Sequence, residues 1–549
     1  MFWAGNSLFL PEALRYLNEM QGLGGLCLST AYNDDRACAP VPSAALTRLS
    51  LVEVLAGFKA KTLTPSDYLD ACLDQISLIN PRINALTTIN SSRAVTAARE
   101  ATKRWQAGSP IGPLDGVPIG VKDLQNTRDL LTTHGSPRLR AYLPDDDLPL
   151  VARLRRAGAI VLAKTNVPEC GAGGNTRNPV WGATGNPFDA NLVCGGSSGG
   201  SAAALAANLL PLCTGSDTGG SLRLPAAFCG VVGFRPSVDV VAHPTRPLGW
   251  SGISVLGPMT RTVDDLILAM QLCQAADPDD PLSVPAKADR FTALPDIELG
   301  DLRVGVSEDF GGAPVDPAIR DTFRNRIETI SRKVRNIFPV DLDLGDMDRC
   351  FDVLRAESFT AAFGEIIKSE PDAFGDEVSE NIKLGQSMSL ADRAWAHAEQ
   401  TRILRRFNAL MRDVDVILLP TTPVSPFPWT QRHPAEIDGQ KLDIYYRWLS
   451  LTYRGSLPGG PSITLPCGRD PFGLPFGLQV LGPVGGDAKV LAVAKALEAA
   501  FEQDRETARA RPDLNAIPLS KVSLQSIVTH PPQMDAKTGA EKSTLGTAV

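Results

Sequence analysis

At 549 residues the chain can build one large domain or two ordinary ones. A hydrophobic fraction of 43% beside 21% charged residues describes a globular protein, not a disordered or fibrous one. The formal net charge of -7 gives no electrostatic footprint for nucleic acid, and no polybasic cluster is present to hold an anionic membrane.

Residues 1–43 read as an N-terminal extension. Within it 9–20 has the period of a short helix, with Leu10, Leu14 and Leu17 on one face and the glycines of 22–25 at its end. Residues 49–58 form the next predicted helix. Thr64-Pro65-Ser66-Asp67 is then a start signal: Thr as N-cap, Pro at the first helical position, an acid at the third. Leu69, Cys72, Ile76 and Ile79 follow on one face, and Asn80-Pro81 is read as the stop. Residues 92–106 are helical, with Ala94, Ala97, Ala98 and Ala101 as small packing surfaces. Residues 117–121 are short and apolar, a strand in a covered sheet, and Lys122 follows directly. A lysine there is ordinarily a surface charge that snorkels to water. A helix at 147–157 and a strand at 159–163 continue the alternation, which indicates an α/β layered fold. Lys164-Thr-Asn-Val-Pro-Glu169 closes that strand, and Glu169 is read as a structural carboxylate.

The centre of the chain is 194–236. It holds two Gly-Ser clusters, Gly195-Gly-Ser-Ser-Gly-Gly-Ser201 and Asp217-Thr-Gly-Gly-Ser221. A small-residue helix at 201–208 and a buried strand at 209–213 are predicted between them, an order that can return the second loop to the first. Paired glycines let successive N–H groups point into one cavity and bind an anion or a developing oxyanion. Neither a Walker loop nor a G-x-G-x-x-G fingerprint fits here. Serines in such loops become nucleophiles only beside a base. The clusters supply no histidine, which moves Lys122 from a surface charge to a candidate base.

Further on, helices are expected at 264–273 and 316–334 and strands at 302–306, 414–419, 461–466 and 476–481. Residues 338–412 are mostly helical, with Phe351, Phe359, Phe363, Phe374 and Trp395 as an aromatic bias. Phe427, Trp429, Tyr445, Tyr446 and Trp448 sit on or after a proline-rich loop of the kind that lines substrate pockets. A helix at 488–501 closes the body, and 506–549 reads as a tail, disordered towards its end. The alternation continues past Gly300, so 44–505 is treated as one hydrolase domain.

At GGSSGGSAAA (195–204), GSDTGGSLRLPAAFCGVVGFRP (215–236) and GVPIGVKD (116–123) the chain resembles the amidase signature family. The likeness extends more weakly through KTNVPE (164–169) and GLPFGLQVLGP (473–483). The resemblance implies a large mixed central sheet covered by helices on both faces. It implies Ser221 as nucleophile, Ser197 as bridging serine after a cis peptide from Gly196, and Lys122 as base. It also implies an oxyanion hole of backbone N–H groups from Thr218, Gly219, Gly220 and Ser221, with Ser198, Asp217 and Arg223 holding the loops. One such donor is typically worth roughly 3 kcal/mol in the transition state. A base must be neutral, so burial has to lower the lysine from its reference value of about 10.4.

The leading expectation is therefore a hydrolase of C–N acyl bonds in amides, aryl amides, carbamates or ureas, with esters as a side activity. The alternative is a glutamine-hydrolysing subunit of an amidotransferase. A third reading, a non-catalytic binding protein on the same scaffold, would ordinarily have lost one of the three residues. His134 offers a rival Ser-His mechanism, but no Gly-x-Ser-x-Gly elbow accompanies it. The ten cysteines are scattered, without C-x-x-C pairs, and read as reduced core thiols; five histidines leave little for a metal site. No run is long enough to span a bilayer, and the first residues lack a signal-peptide pattern. The expectations are a cytoplasmic enzyme without metal or cofactor, a small-molecule amide-type substrate, and room for a homodimer.

Overall fold

The structure is a computed structural model that describes residues 43–533. The helix expected at 9–20 and the last part of the tail lie outside the described residues. Eleven strands join in one mixed sheet. In chain order they are β1 (Leu86–Ile89), β2 (Pro118–Lys122), β3 (Ile160–Thr165), β4 (Leu212–Asp217), β5 (Val232–Arg235), β6 (Val255–Thr260), β7 (Arg303–Val306), β8 (Asn336–Pro339), β9 (Val416–Pro420), β10 (Ser462–Arg469) and β11 (Pro475–Leu481). Across the sheet they run β1-β3-β2-β4-β6-β5-β10-β11-β9-β7-β8. β2 is parallel to both β3 and β4. β7 is parallel to β8 and β9 at the far edge, and the strands from β4 to β9 pair antiparallel.

Every residue of β2, β3, β6, β9 and β11 is buried. That is the signature of strands covered on both faces, and it explains their unbroken apolar runs. Neighbouring residues of β3 feed different cores: Val161 joins one apolar cluster, Ile160 and Leu162 the other. The first core holds Leu51, Val54 and Phe58 of the helix Leu51–Ala60; the second holds the alanines of Gly199–Ala206.

Local signals set most boundaries. Thr64 caps the helix Pro65–Ile83 by accepting the Asp67 N–H at 3.1 Å. Pro81 does not stop that helix. It sits in the last turn, where a proline forfeits one backbone bond but keeps a helical φ, and Asn84 at φ 50° closes the helix. The strand expected at 209–213 instead begins at Leu212 and runs to Asp217. Leu209 still donates to Ala204 O at 2.9 Å, so it belongs to the end of the preceding helix. The helix Arg223–Cys229 and the strands β5 and β6 escaped the pattern reading because all their residues are buried, which erases any amphipathic period.

The segment after 505 is described as far as Gln533. It lies along 179–191, where Ala183 N–H donates to Leu524 O at 2.7 Å, Ala190 to Pro518 O at 3.1 Å and Thr529 to Pro179 O at 3.0 Å. Such a strap has backbone partners but no side-chain period, which is why no helix or strand is legible there. Among the described residues no helix is long and apolar enough to cross a membrane.

Candidate active site

The two Gly-Ser clusters meet at the carboxyl ends of the parallel strands β2 and β4, where open α/β sheets place their ligands. Ser197 and Ser198 precede the helix Gly199–Ala206, whose eight residues are all buried. Only small side chains allow a helix to sink that far between strands. The Gly196–Ser197 peptide is cis. Ser198 N–H donates to Ser221 O at 3.3 Å, which ties the first cluster to the second.

Lys122 is the last residue of β2 and has no exposed surface. Its Nζ lies 2.8 Å from Ser197 Oγ, 2.8 Å from Ser198 Oγ and 2.9 Å from Ser216 Oγ. Its backbone N–H donates to Thr214 Oγ1 at 3.0 Å. Burial lowers the Lys122 amine to about 7, against the pull of Asp217, which favours the charged form. The amine is therefore poised to exchange a proton with a serine near neutral pH. Ser221 is partly exposed, and among the described residues no hydrogen bond joins its hydroxyl to Ser197 Oγ.

Asp217, at the end of β4, anchors the second cluster. Arg223 Nε and Nη2 each donate to its carboxylate at 3.0 Å. Arg235 Nη1 reaches Asp217 Oδ1 at 3.2 Å and its carbonyl at 2.6 Å. Arg223 continues to Gln479 and Ser456, both at 2.7 Å. All three charged side chains are fully buried. Burial alone would raise the Asp217 carboxyl; the two guanidiniums outweigh it and hold it far below the usual carboxylate range. Replacing Asp217 by asparagine leaves two guanidiniums buried without a counter-charge. We expect a loss of about 3–5 kcal/mol in urea unfolding, whereas a loss below ~1 kcal/mol would mean that the site holds its shape without this ion network.

Gly220 has φ 123°, and a Cβ there would lie 2.2 Å from Thr452 Oγ1. The glycine is thus required by Thr452, whose hydroxyl also donates to Gly219 O at 2.7 Å. The Gly220 N–H donates to Asp217 Oδ1 at 2.8 Å. It is committed to the loop's own carboxylate in this structure, unlike the role expected for it. For Thr218, Gly219 and Ser221 no such bond to Asp217 is formed.

His134 is buried, and neither ring nitrogen has a hydrogen-bond partner. Burial, with Lys164 nearby, lowers it to about 3, so it is a neutral interior imidazole without a serine partner. Glu169 accepts from Ser136 Oγ and from the Gly375 N–H, each at 2.8 Å, a structural brace. Sequence reasoning passed over Arg235, Ser216 and Thr214. Arg235 lies in the motif GFRP. Thr214 and Ser216 alternate along β4, so the period of a correctly placed strand would have put both beside Lys122. Lys164, to which the sequence assigns no role of its own, is fully buried and donates to Gln125 O, to Thr127 Oγ1 at 2.7 Å and to Thr132 Oγ1 at 3.1 Å, bracing the loop after Lys122. A cleft of about 740 Å³ lined by Phe188, Leu192, Phe427, Arg469 and Phe472 lies elsewhere and contains none of Lys122, Ser197 and Ser221.

A large mixed sheet with a buried lysine and two serine-bearing glycine loops at its strand ends defines an amidase-type scaffold. The Amidase family model matches residues 67–491, and the chain belongs to that family. It is 34% identical over 489 residues to a glutamyl-tRNA(Gln) amidotransferase subunit from Salinispora arenicola, covering 83% of this chain and 98% of that protein. Among solved structures, a bacterial aryl acylamidase of the amidase signature enzymes superposes with a TM-score of 0.76 at 28% identity, over 82% of this chain and 96% of that one. A further amidase superposes with a TM-score of 0.72 at 30% identity, over 82% and 100% of the two chains.

Proposed function

We propose that the protein cleaves amide C–N bonds through an acyl-enzyme on Ser221. The observation that carries this reading is the fully buried Lys122 amine, lowered to about 7 and 2.8 Å from Ser197 Oγ. Neutral Lys122 takes the Ser197 proton as Ser197 takes that of Ser221. The Ser221 oxygen attacks the acyl carbon, and backbone N–H groups of Thr218, Gly219 and Ser221 receive the oxyanion. The proton returns through Ser197 to the leaving nitrogen, and the C–N bond breaks. Water then releases the acid by the same route. The Ser197–Ser221 contact closes in the substrate complex, since catalytic hydrogen bonds commonly tighten there. The test is an anilide panel with mass spectrometry of the quenched enzyme. An acyl adduct on Ser221 is expected; turnover without any adduct there would overturn the mechanism.

A second reading concerns the setting of this chemistry. Identity of 34% over almost the whole of a glutamyl-tRNA(Gln) amidotransferase subunit favours an ammonia-releasing chain that works with partner proteins. The similarity to an aryl acylamidase favours a self-contained enzyme. Glutamine hydrolysis that depends on stoichiometric co-purifying proteins identifies the amidotransferase component; anilide turnover by the isolated chain identifies the self-contained enzyme.

A further inference from the structure

Arg355 stands apart from the other buried arginines of the described residues. Arg223, Arg235, Arg246, Arg447 and Arg454 each meet a carboxylate. Arg261 donates to the backbone carbonyls of Leu210 and Leu49. Arg355, only 7% exposed, has no carboxylate partner among the described residues. Its Nε donates to Asn381 Oδ1 at 2.9 Å and its Nη2 to the Tyr445 hydroxyl at 2.8 Å, both neutral acceptors. The Nη1 donors have no acceptor among the described residues. Carboxylates on the same elements are engaged elsewhere: Asp352 by Arg447, Glu377 by Arg432. The rings of Phe359, Tyr446 and Tyr445 lie 4.8, 4.9 and 5.9 Å from Arg355 Cζ. Aromatic faces stabilise a cation without neutralising it.

The position matters as much as the missing partner. Phe351 lies one helical turn before Arg355 on the same face of the helix Met347–Ser369. It packs on the Ser221 loop, since a Cβ at Gly219 would come within 2.8 Å of Phe351 Cζ. On the other side, Tyr445 borders Gly173, whose carbonyl lies 3.0 Å from the Cβ position of Gly196 at the cis peptide. Arg355 thus shares a helix face with the ring that packs on the Ser221 loop and bonds the Tyr445 that borders the Gly173 turn beside Gly196.

We propose that Arg355 is a substrate-recognition residue and that the preferred substrates are amides carrying a carboxylate. This rests on the reading of the chain as a Ser221 amidase. Two N–H groups on one guanidinium edge fit a carboxylate in bidentate fashion. A neutral substrate leaves the buried charge unmatched, so discrimination arises from the difference.

The test compares kcat and KM for carboxylate-bearing anilides and a neutral counterpart. Succinanilate places the charge in the acyl part, 4-butyramidobenzoate in the leaving group, and butyranilide carries none. The wild-type enzyme should favour one of the two anions by about 100-fold in kcat/KM, mostly through KM. Arg355→Met should bring that ratio close to one, and Arg355→Lys should restore part of it. A fluorophosphonate label on Ser221 in each variant reports an assembled site. An unchanged ratio in Arg355→Met, or a labelled wild-type enzyme indifferent to charge, overturns the role of Arg355 and leaves the amidase reading intact. Wild-type protein that is neither labelled nor active on any of the three overturns the amidase reading itself.

Discussion

Ser221→Ala should lower kcat by about 10⁴-fold or more on every substrate the enzyme turns over, because loss of the proposed nucleophile removes the acyl-enzyme route altogether. The acyl adduct and the fluorophosphonate label should vanish with it. Folding should survive. Ser221 is partly exposed, and its loop is held by backbone and by Asp217, which accepts from the N–H groups of Gly220 and Leu222 at 2.8 and 3.1 Å. KM and the thermal midpoint should therefore move little. A variant that keeps a tenth of wild-type kcat would move the nucleophile to another residue.

The second large effect falls on Lys122. Methionine keeps much of the length and the apolar stem but cannot take a proton. Lys122→Met should cost on the order of 10³–10⁴ in kcat/KM. The wild-type pH profile carries the independent check. Below about 7 the amine is protonated and cannot act as base, so kcat/KM should fall tenfold per pH unit there and level off above about 7. The same shift has a stability consequence of definite sign. The folded amine releases its proton near 7, the unfolded one near its model value of 10.5. Between these values the unfolded state binds more protons, so this residue's contribution rises with pH across that window and is flat below it. Lys122→Met should lose both the activity limb and that slope. A wild-type limb above pH 9 would mean that the lysine is a cation at neutral pH and the base lies elsewhere.

The helices and strands of the outer layers were legible because half-buried elements keep a period: Thr64 with Pro65 and Asp67 marked a helix start that the structure places at Pro65. The same reading failed where burial is complete. β4 was placed too early, and with it Thr214 and Ser216 were lost as neighbours of Lys122. The candidate site residues stood out in the sequence for a different reason. Glycine pairs around serine restrict what a loop can be, and they do so within a few positions of sequence. Ion partners obey no such locality: Arg235 joins Asp217 from the next strand but one, and Arg223 reaches Ser456 and Gln479 from far along the chain.

By itself the sequence determined the inventory of the candidate site, a lysine after an apolar strand and two serines in glycine-lined loops, because residue type and short-range spacing suffice for that. The tertiary structure alone decided the state of those groups. It lowered the Lys122 amine by removing water from around it, turned the Gly220 N–H towards Asp217, and, among the described residues, left Arg355 between aromatic rings without a counter-ion. Desolvation and charge pairing are properties of what the fold brings together, and no stretch of chain carries them alone.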